Sequence, residues 1–231
     1  MSGALYDTLR TITTATITTM LLKKGIRRCW MNGPRPLASG GGCVVGPAFT
    51  LRFVPVREDL ATPESWAKPI STRGAIEEMP AGCIAVADAM GVTSAGIVGD
   101  ILSLYMMKRN VAALVTDGVV RDKEGVLASK LPVWCAGTAA PADVNGLTFV
   151  GWQEPIGCGG CAIFPGDVIV CDDDGAVVIP QDLLAFVAEE GAEHERMESF
   201  IVFEVERGAK LPGLYPMNDE TKARYAGWKK R

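Results

Sequence analysis

The sequence predicts a layered α/β fold with a helix at each end of the chain. Short apolar segments bounded by Gly, Pro and Asp turns recur along it, and such segments are typical of buried strands. Helical spacing occurs between these segments in the middle of the chain, as expected for crossover helices. Hydrophobic residues make up 48% and charged residues 22% of the 231 residues, so the chain can bury a core. We therefore expect one domain, residues 1–231.

The N-terminal third is predicted to contain a helix, a strand and two loops. Leu5–Leu22 forms the first helix, although its β-branched Thr and Ile residues weaken helix formation. Trp30–Gly42 is a loop because it is rich in Gly and Pro, and Cys43–Val56 carries the first long strand pattern. Leu60–Thr72 is polar and contains two Pro residues, so it is either a variable surface loop or a segment that reaches a neighbouring active site.

The central stretch Gly96–Asp122 has the order loop, helix, strand, loop. A Gly-containing turn opens the helix, and Val111–Val115 follows as a buried strand. This order can bring the turn at Asp100 and the loop at Arg121 to the same end of neighbouring elements. The other predicted elements are the helices Arg73–Glu78, Arg121–Lys130 and Gln181–Arg207 (with a potential break at Gly191), the strands Gly82–Ala87, Pro132–Cys135, Leu147–Val150, Cys161–Phe164, Val168–Cys171 and Ala176–Ile179, and the tail Leu211–Pro216.

The side chains of the central stretch suit the binding of a small acid and a metal ion. If Asp100 caps the helix, the N–H groups of Ile101 and Leu102 are left free at the positive end of the helix dipole. The Arg121 guanidinium can bind a carboxylate through two hydrogen bonds. Asp122 is a hard oxygen ligand, which suits Mg²⁺ or Mn²⁺. From spacing alone, an ordinary helix cap and a surface ion pair also explain these residues.

Two motifs in this stretch resemble the signature of a known family. Gly99-Asp-Ile-Leu102, followed by Asp117-Gly-Val-Val-Arg-Asp122, is similar to the signature of the RraA-like family. This family includes the class II pyruvate aldolases typified by 4-hydroxy-4-methyl-2-oxoglutarate/4-carboxy-4-hydroxy-2-oxoadipate aldolase. Three further segments resemble its early strand, its next strand and its late hairpin, and they are Val45–Thr50, Pro80–Asp88 and Pro165–Pro180. The resemblance extends over nearly the whole chain.

The resemblance implies the swivelling β/β/α fold of that family, assembled as a homotrimer or homohexamer. It implies a lyase that uses Mg²⁺ or Mn²⁺ to cleave a C–C bond of a 4-hydroxy-2-oxo acid and release pyruvate. Oxaloacetate decarboxylation is implied as a side activity, because both reactions share the pyruvate enolate. The residues that match are Gly99, Asp100, Ile101, Leu102 and Arg121 for the substrate, of which Asp100 and Arg121 are also catalytic, and Asp122 for the metal ion.

A further catalytic carboxylate is expected from the C-terminal helix. In the family, a Glu on this helix reaches the active site of a neighbouring subunit, and Glu198 lies where that residue would fall. Glu195 is the alternative position. Both side chains could instead face solvent, as charged residues on a helix usually do.

Two positions depart from the family pattern. Family aldolases often carry an acidic residue three positions after the metal-binding Asp, where this chain has Gly125, with Glu124 beside it. The first helix of the family often has Ser-Asp after its Thr, where this chain has Thr18-Thr19. Both departures concern the identity of the substrate rather than the metal and keto-acid site.

A second function is compatible with the resemblance. The fold is shared with the regulator of RNase E activity, so the alternative is a non-enzymatic protein that binds a ribonuclease by protein contact. The retained Asp122 favours the lyase, because protein contact needs no metal ligand. A methyltransferase function is not supported, because the Gly-rich stretches do not match a nucleotide-binding loop.

Other candidate sites fit their motifs poorly. Cys158-Gly-Gly-Cys161 lacks the further ligands of a zinc site and the strand-to-helix context of a redox motif. His194, the only His, lies on a polar helix, and Asp172-Asp-Asp174 lacks the spacing of a calcium loop and is interpreted as a hairpin turn. Asp117 precedes Gly118 and is interpreted as a turn residue.

Composition argues against several classes of protein. The net charge is −4 and no long Lys/Arg tract is present, so a nucleic-acid partner is not expected. No apolar run reaches the length of a membrane span, so no membrane partner is expected either. The odd number of Cys residues, seven, does not fit a disulfide scaffold, and the reducing cytoplasm is the predicted location.

Overall fold

An eight-stranded, nearly closed sheet forms the centre of the protein. The computed structural model describes residues 2–229, so Met1, Lys230 and Arg231 of the predicted domain lie outside the described residues. The strand order is β1-β6-β4-β3-β2-β9-β10, with β8 also paired to β2, while β5 and β7 form a separate two-stranded sheet. The strands are β1 Arg35–Pro36, β2 Val44–Pro55, β3 Ile84–Asp88, β4 Ala113–Thr116, β5 Val119–Val120, β6 Val133–Cys135, β7 Gly137–Thr138, β8 Leu147–Trp152, β9 Val168–Asp172 and β10 Gly175–Ile179.

Strand β2 and one connecting segment join the two halves of this sheet. The first part of β2 pairs with β9 and its last part with β8, both antiparallel, and β3 runs parallel to its middle. The segment Cys29–Met31 bonds to β10, since Val178 N–H donates to the Cys29 carbonyl at 2.8 Å and Met31 N–H donates to the Ala176 carbonyl at 2.9 Å. The same segment then leads into β1, which pairs with β6 at the other edge. The sheet is therefore almost closed on itself.

Helices cover both faces of the sheet. On β3, Ile84 and Val86 face one core while Ala85 and Ala87 face the other, in the alternation of a strand buried on both sides. The first core is completed by α1, α2 and α6, and the second by α3, α4 and α5. The helices are α1 Ser2–Leu9, α2 Thr14–Lys23, α3 Thr72–Glu78, α4 Asp100–Lys108, α5 Lys123–Ser129, α6 Leu184–Glu206 and α7 Asp219–Trp228.

The prediction of one helix over Leu5–Leu22 is wrong, because the helix breaks between Leu9 and Thr14. Thr13 caps α2, with its hydroxyl accepting the Thr16 N–H at 3.2 Å. The Thr13 N–H and hydroxyl both donate to Glu195 on α6 at 2.9 Å. A capped turn that is hydrogen-bonded to another helix is more favourable here than a continuous helix, because Thr stabilises a helix as its N-cap and is unfavourable in a helix interior.

Three smaller predictions also need correction. Gly191 does not interrupt α6, and it packs so closely on Ile12 that a Cβ at this position would lie 2.9 Å from the Ile12 side chain. Cys161–Phe164 is not a strand, since it contributes only a bridge between Ile156 and Ile163. The chain continues beyond the predicted tail into α7, which begins at the Asn218 cap and packs on Phe200 of α6.

None of the helices between residues 2 and 229 is both long and apolar enough to cross a bilayer.

Candidate functional site

Backbone pairing brings the two halves of the central motif together. Ile97 N–H donates to the Val119 carbonyl at 3.0 Å, and Arg121 N–H donates to the Val98 carbonyl at 2.9 Å. The two segments therefore run parallel, with a bridge between Gly96 and Val119. This pairing places the turn that opens α4 directly beside the loop that leaves β5.

Two glycines allow the close approach of this turn and loop. A Cβ at position 99 would lie 2.7 Å from Asp122 Oδ2, so only Gly leaves the Asp122 carboxylate this close to the start of α4. A Cβ at position 125 would lie 2.4 Å from the Asp100 Cβ, which shows that α5 presents bare backbone to Asp100. At position 125, where family aldolases often have an acidic residue, the space beside the backbone is thus occupied by the Asp100 side chain.

The N-terminus of α4 differs from the predicted cap by one residue. Gly99 is the N-cap and Asp100 is the first helical residue, so the expectation that Asp100 caps the helix is wrong. The Asp100 Oδ1 accepts the Ile101 N–H at 2.7 Å. The prediction that the Ile101 N–H is free is therefore wrong. The N–H groups of Gly99, Asp100 and Leu102 have no acceptor among residues 2–229. These three donors remain available to an anion at the positive end of the helix.

Arg121 and Asp122 lie together at the end of β5. Arg121 Nε donates to Asp122 Oδ2 at 3.1 Å, and both side chains are partly exposed. Asp122 has a left-handed backbone conformation (φ 53°), which Asp tolerates better than most residues, and it turns the chain from β5 into α5. The Asp122 carboxylate therefore has one oxygen next to Arg121 and remains open to solvent.

These residues line a cavity of about 240 Å³. Gly99, Asp100, Ile101, Leu102, Arg121 and Asp122 all belong to its wall. The structure thus brings together every predicted site residue except Glu198.

The cavity has further polar wall residues that sequence reasoning did not assign to the site. They are Trp66, Thr72, Arg73 and Asp143. Trp66 belongs to a 3₁₀ turn, Pro63–Ala67, so part of the polar excursion predicted at Leu60–Thr72 covers the cavity of its own chain. An isolated Trp in a polar loop is the one sequence signal that could have indicated this contribution.

Asp122 is suited to a divalent metal ion, and Asp100 could assist it. Among the residues that the structure describes, no group of three or more His, Cys, Asp or Glu side chains could hold a metal. Mg²⁺, however, is commonly bound by one or two carboxylates, with water and substrate oxygens completing the shell. The open Asp122 carboxylate and Asp100 on the same cavity wall provide such hard oxygen donors, so the residues present fit an ion of this kind.

Glu198 lies away from this cavity in its own chain. It is on α6, where its Oε1 is 3.2 Å from His194 Nε2, and it is not part of the cavity wall. Its alternative, Glu195, accepts both hydrogen bonds from Thr13 and so has a structural role. Any catalytic use of Glu198 would require a second subunit.

The remaining candidates have structural roles. Asp117 is buried and not a simple turn residue, since its carboxylate accepts the Ala89 N–H at 2.9 Å and the Gly159 N–H at 3.1 Å, and burial raises its pKa. Cys158 and Cys161 are buried free thiols whose pKa values are raised by burial, to about 11 for Cys161. Asp173 and Asp174 form the turn of the β9–β10 hairpin, as predicted.

Comparison with known proteins identifies relatives of this chain and of its fold. A family model described as RraA-like (Aldolase/RraA) matches residues 12–178. The crystal structure of Streptomyces coelicolor RraAS2, described as an unusual member of the RNase ES inhibitor RraA protein family, is 36% identical with a TM-score of 0.77, and the match covers 86% of this chain and 95% of that one.

Two sequence relatives carry different names. A protein of Halalkalibacterium halodurans named "Putative 4-hydroxy-4-methyl-2-oxoglutarate aldolase" is 35% identical over 139 residues, which are 60% of this chain and 60% of that protein. Protein DlpA of Legionella pneumophila is 31% identical over 150 residues, which are 65% of this chain but only 23% of that protein. The chain thus spans less than two thirds of either relative. Because the family model matches most of the chain and the fold agrees, the chain belongs to the RraA-like (Aldolase/RraA) family.

Proposed function

We propose that this protein is a divalent-metal-dependent lyase that cleaves the C3–C4 bond of a 4-hydroxy-2-oxo acid and releases pyruvate. The observation that carries the proposal is the meeting of the α4 N-terminus, Arg121 and Asp122 on the wall of one cavity. An anion site next to a hard oxygen ligand suits a 2-oxo acid, whose carboxylate and keto oxygen are adjacent. The relative named as an aldolase supports the same reaction class.

The chain supplies two kinds of donor for the 2-oxo acid end of the substrate. The Arg121 guanidinium can bind the carboxylate through two hydrogen bonds. The free N–H groups of Gly99, Asp100 and Leu102 provide further donors where negative charge develops on the keto oxygen. Asp122 is the residue that would hold Mg²⁺ or Mn²⁺, which when bound supplies a Lewis acid that stabilises the pyruvate enolate.

Proton transfer is assigned to the carboxylates at the site. Cleavage removes the proton of the C4 hydroxyl, converts C4 to a carbonyl and leaves the C3–C4 electron pair in the enolate, which then takes a proton at C3. Asp100 can orient the water that carries these protons, because its Oδ1 is fixed by the Ile101 N–H and its Oδ2 remains available. Glu198 of a neighbouring subunit would assist, in a homotrimer or homohexamer. Oxaloacetate decarboxylation shares the enolate and is expected as a side activity.

A regulator of a ribonuclease is the second candidate. The observation that favours it is the 36% identity to an RNase ES inhibitor family member. Ile101, Leu104 and Tyr105 also leave an apolar strip exposed on α4, a surface that a protein partner could cover. The regulator would need neither a free carboxylate at Asp122 nor a cavity beside it.

The test is pyruvate release from 4-hydroxy-4-methyl-2-oxoglutarate and from oxaloacetate, with Mg²⁺ or Mn²⁺ and then with EDTA. We expect release that stops on metal removal and falls at least about 10³-fold in Asp122→Asn, since one essential group is lost. Asp174→Asn, in the β9–β10 turn outside the cavity wall, is the matched control and should retain full activity. Activity of Asp122→Asn in saturating metal would refute the metal assignment. Tight binding to a ribonuclease by an inactive wild-type protein would favour the regulator.

A further inference from the structure

A second group of side chains lines the same cavity, and the proposed reaction leaves it without a role. We call it the distal cluster, defined as Trp66, Thr72, Arg73 and Asp143. Trp66 comes from the 3₁₀ turn Pro63–Ala67, Thr72 and Arg73 open α3, and Asp143 begins a short 3₁₀ turn before β8. Three separate segments therefore converge on one end of the site.

Arg73 is the cation of the distal cluster, and it is held by an aromatic ring rather than by a carboxylate. Its guanidinium carbon lies 5.0 Å from the centre of the Trp66 ring. No carboxylate of residues 2–229 lies within ion-pair distance of Arg73. A guanidinium stacked on a ring keeps its in-plane N–H groups available, and these match the two oxygens of a carboxylate.

Asp143 fixes the ring on which Arg73 rests. The Trp66 ring is only half-buried, and its Nε1–H donates to Asp143 Oδ1 at 3.0 Å, which fixes the orientation of the ring. Burial raises the pKa of Asp143, while the Trp66 hydrogen bond and the nearby charge of Arg73 act in the opposite direction. Asp143 is therefore a positioning residue for Trp66.

Thr72 provides a second, independent sign of a ligand. Its side chain is buried, and the hydroxyl has no hydrogen-bond partner among the described residues. A buried hydroxyl without a partner is unfavourable, and most such groups in folded proteins are satisfied. Thr72 lies in the wall of the cavity, so a polar ligand there would supply the missing partner.

We propose that Arg73 and Thr72 bind the second carboxylate of a dicarboxylic substrate whose 2-oxo acid end lies at Arg121. This inference rests on the proposed function and adds to it the residues that hold the second carboxylate of a diacid such as 4-hydroxy-4-methyl-2-oxoglutarate. For 4-hydroxy-2-oxoglutarate, cleavage of the C3–C4 bond gives pyruvate from the end at Arg121 and glyoxylate from the end at Arg73. The C4 hydroxyl proton is lost and C3 gains one, so the reaction needs no further reactant.

Calorimetric titration with two matched ligands tests the distal cluster without catalysis. 2-Oxoglutarate carries a second carboxylate, and 2-oxopentanoate has a methyl group in its place. In the presence of Mg²⁺, we expect the wild-type protein to bind 2-oxoglutarate about 10- to 100-fold more tightly, as a charge-assisted hydrogen-bonding pair would give. Arg73→Gln should remove this preference and leave 2-oxopentanoate binding unchanged. Arg57→Gln is the control, because Arg57 is exposed and pairs with Asp59 outside the cavity wall.

Kinetics on the corresponding aldols separate this inference from the proposed function. Arg73→Gln should lower kcat/KM for 4-hydroxy-2-oxoglutarate about 10- to 100-fold and should not change it for 4-hydroxy-2-oxopentanoate. The role of Arg73 would be refuted if kcat/KM fell equally for both substrates, or if the wild-type protein did not prefer the diacid. Pyruvate release in the same assays would still support the lyase. Conversely, Arg73-dependent binding of 2-oxoglutarate without pyruvate release from any substrate would retain the distal site and refute the lyase.

Discussion

Gly125 determines where the Asp100 carboxylate can lie. α4 and α5 pack so closely at this point that a Cβ on residue 125 would lie 2.4 Å from the Asp100 Cβ and 3.1 Å from its Oδ2. An acidic side chain, which family aldolases often carry here, would have to displace Asp100 or point elsewhere. The absence of a side chain at position 125 is therefore part of how this chain places the Asp100 carboxylate, to which we assign the proton transfer.

We expect Gly125→Ala to damage both the site and the packing. The added methyl must push Asp100 aside, which should lower pyruvate release at least about tenfold, because small displacements of reacting groups are costly. The free energy of unfolding should fall by about 1–3 kcal/mol, as for other overpacked contacts. Steady-state kinetics and urea unfolding measure the two effects. Gly227→Ala is the control, since a Cβ there meets no atom within 4 Å, and unchanged activity of Gly125→Ala would contradict the argument.

The break between α1 and α2 is an element-scale feature that depends on Thr13. Its hydroxyl caps α2 and also donates to Glu195, so one residue ends the turn and attaches it to α6. Thr13→Ala should lower the free energy of unfolding by about 1 kcal/mol or somewhat more, the usual effect of losing a cap. Urea denaturation followed by circular dichroism measures this. Thr19→Ala, on the exposed face of α2, should be neutral or slightly stabilising, and an equal loss there would argue against a specific cap.

The attachment of α7 to α6 should depend on pH through Glu193. Hydrogen bonds from Lys229 and Arg196, in that order of effect, lower the Glu193 pKa from 4.5 to about 2, although the carboxylate is partly exposed. A lowered pKa in the folded state means that the stabilisation is present above pH 4.5 and is lost as the pH falls towards 2. We expect the Trp228 indole NMR signal to shift towards that of an unpacked ring over this window.

Variants on α6 isolate the contribution of Glu193. Glu193→Gln should weaken the packing of α7 on α6 already at neutral pH, because the neutral amide binds Lys229 more weakly. The change in the Trp228 NMR signal on acidification should be correspondingly smaller. Glu190→Gln, which removes an exposed charge one turn away, should retain the wild-type curve. A transition that is unchanged in Glu193→Gln would assign the acid sensitivity to another group.

At the scale of the whole molecule, the predicted role of Glu198 depends on a second subunit. Glu198 does not line the cavity of its own chain, so a catalytic role would need a neighbouring subunit, as in the predicted homotrimer or homohexamer.

Subunit complementation tests the role of Glu198 across an interface. Asp122→Asn and Glu198→Gln should each be nearly inactive as pure proteins. After mixing and reassembly in equal amounts, about one quarter of the sites should combine an intact Asp122 with an intact Glu198 from a neighbour, as random cyclic assembly gives. Recovery of about this fraction of wild-type pyruvate release is the expected result. No recovery, in mixed oligomers verified by native mass spectrometry, would contradict a role in trans.

The sequence by itself determined the layered α/β architecture, the family and the pairing of Asp100 with Arg121 and Asp122. Strand periodicity, Gly and Pro turns and a contiguous motif depend only on residues that are close together in the chain, so they can be recognised from the sequence alone. The helix break at Thr13 was missed because it depends on Glu195, which is 182 residues away.

Only the tertiary structure showed that the distal cluster lines the cavity and that Asp100 packs against Gly125. Trp66, Arg73 and Asp143 come from segments with no shared motif, and the sequence does not show that they face Arg121. The same holds for Gly125, which looks like a lost acidic residue until Asp100 is seen packed on it. Contacts between distant segments depend on how whole layers pack, and a periodic pattern within one segment carries no information about that packing.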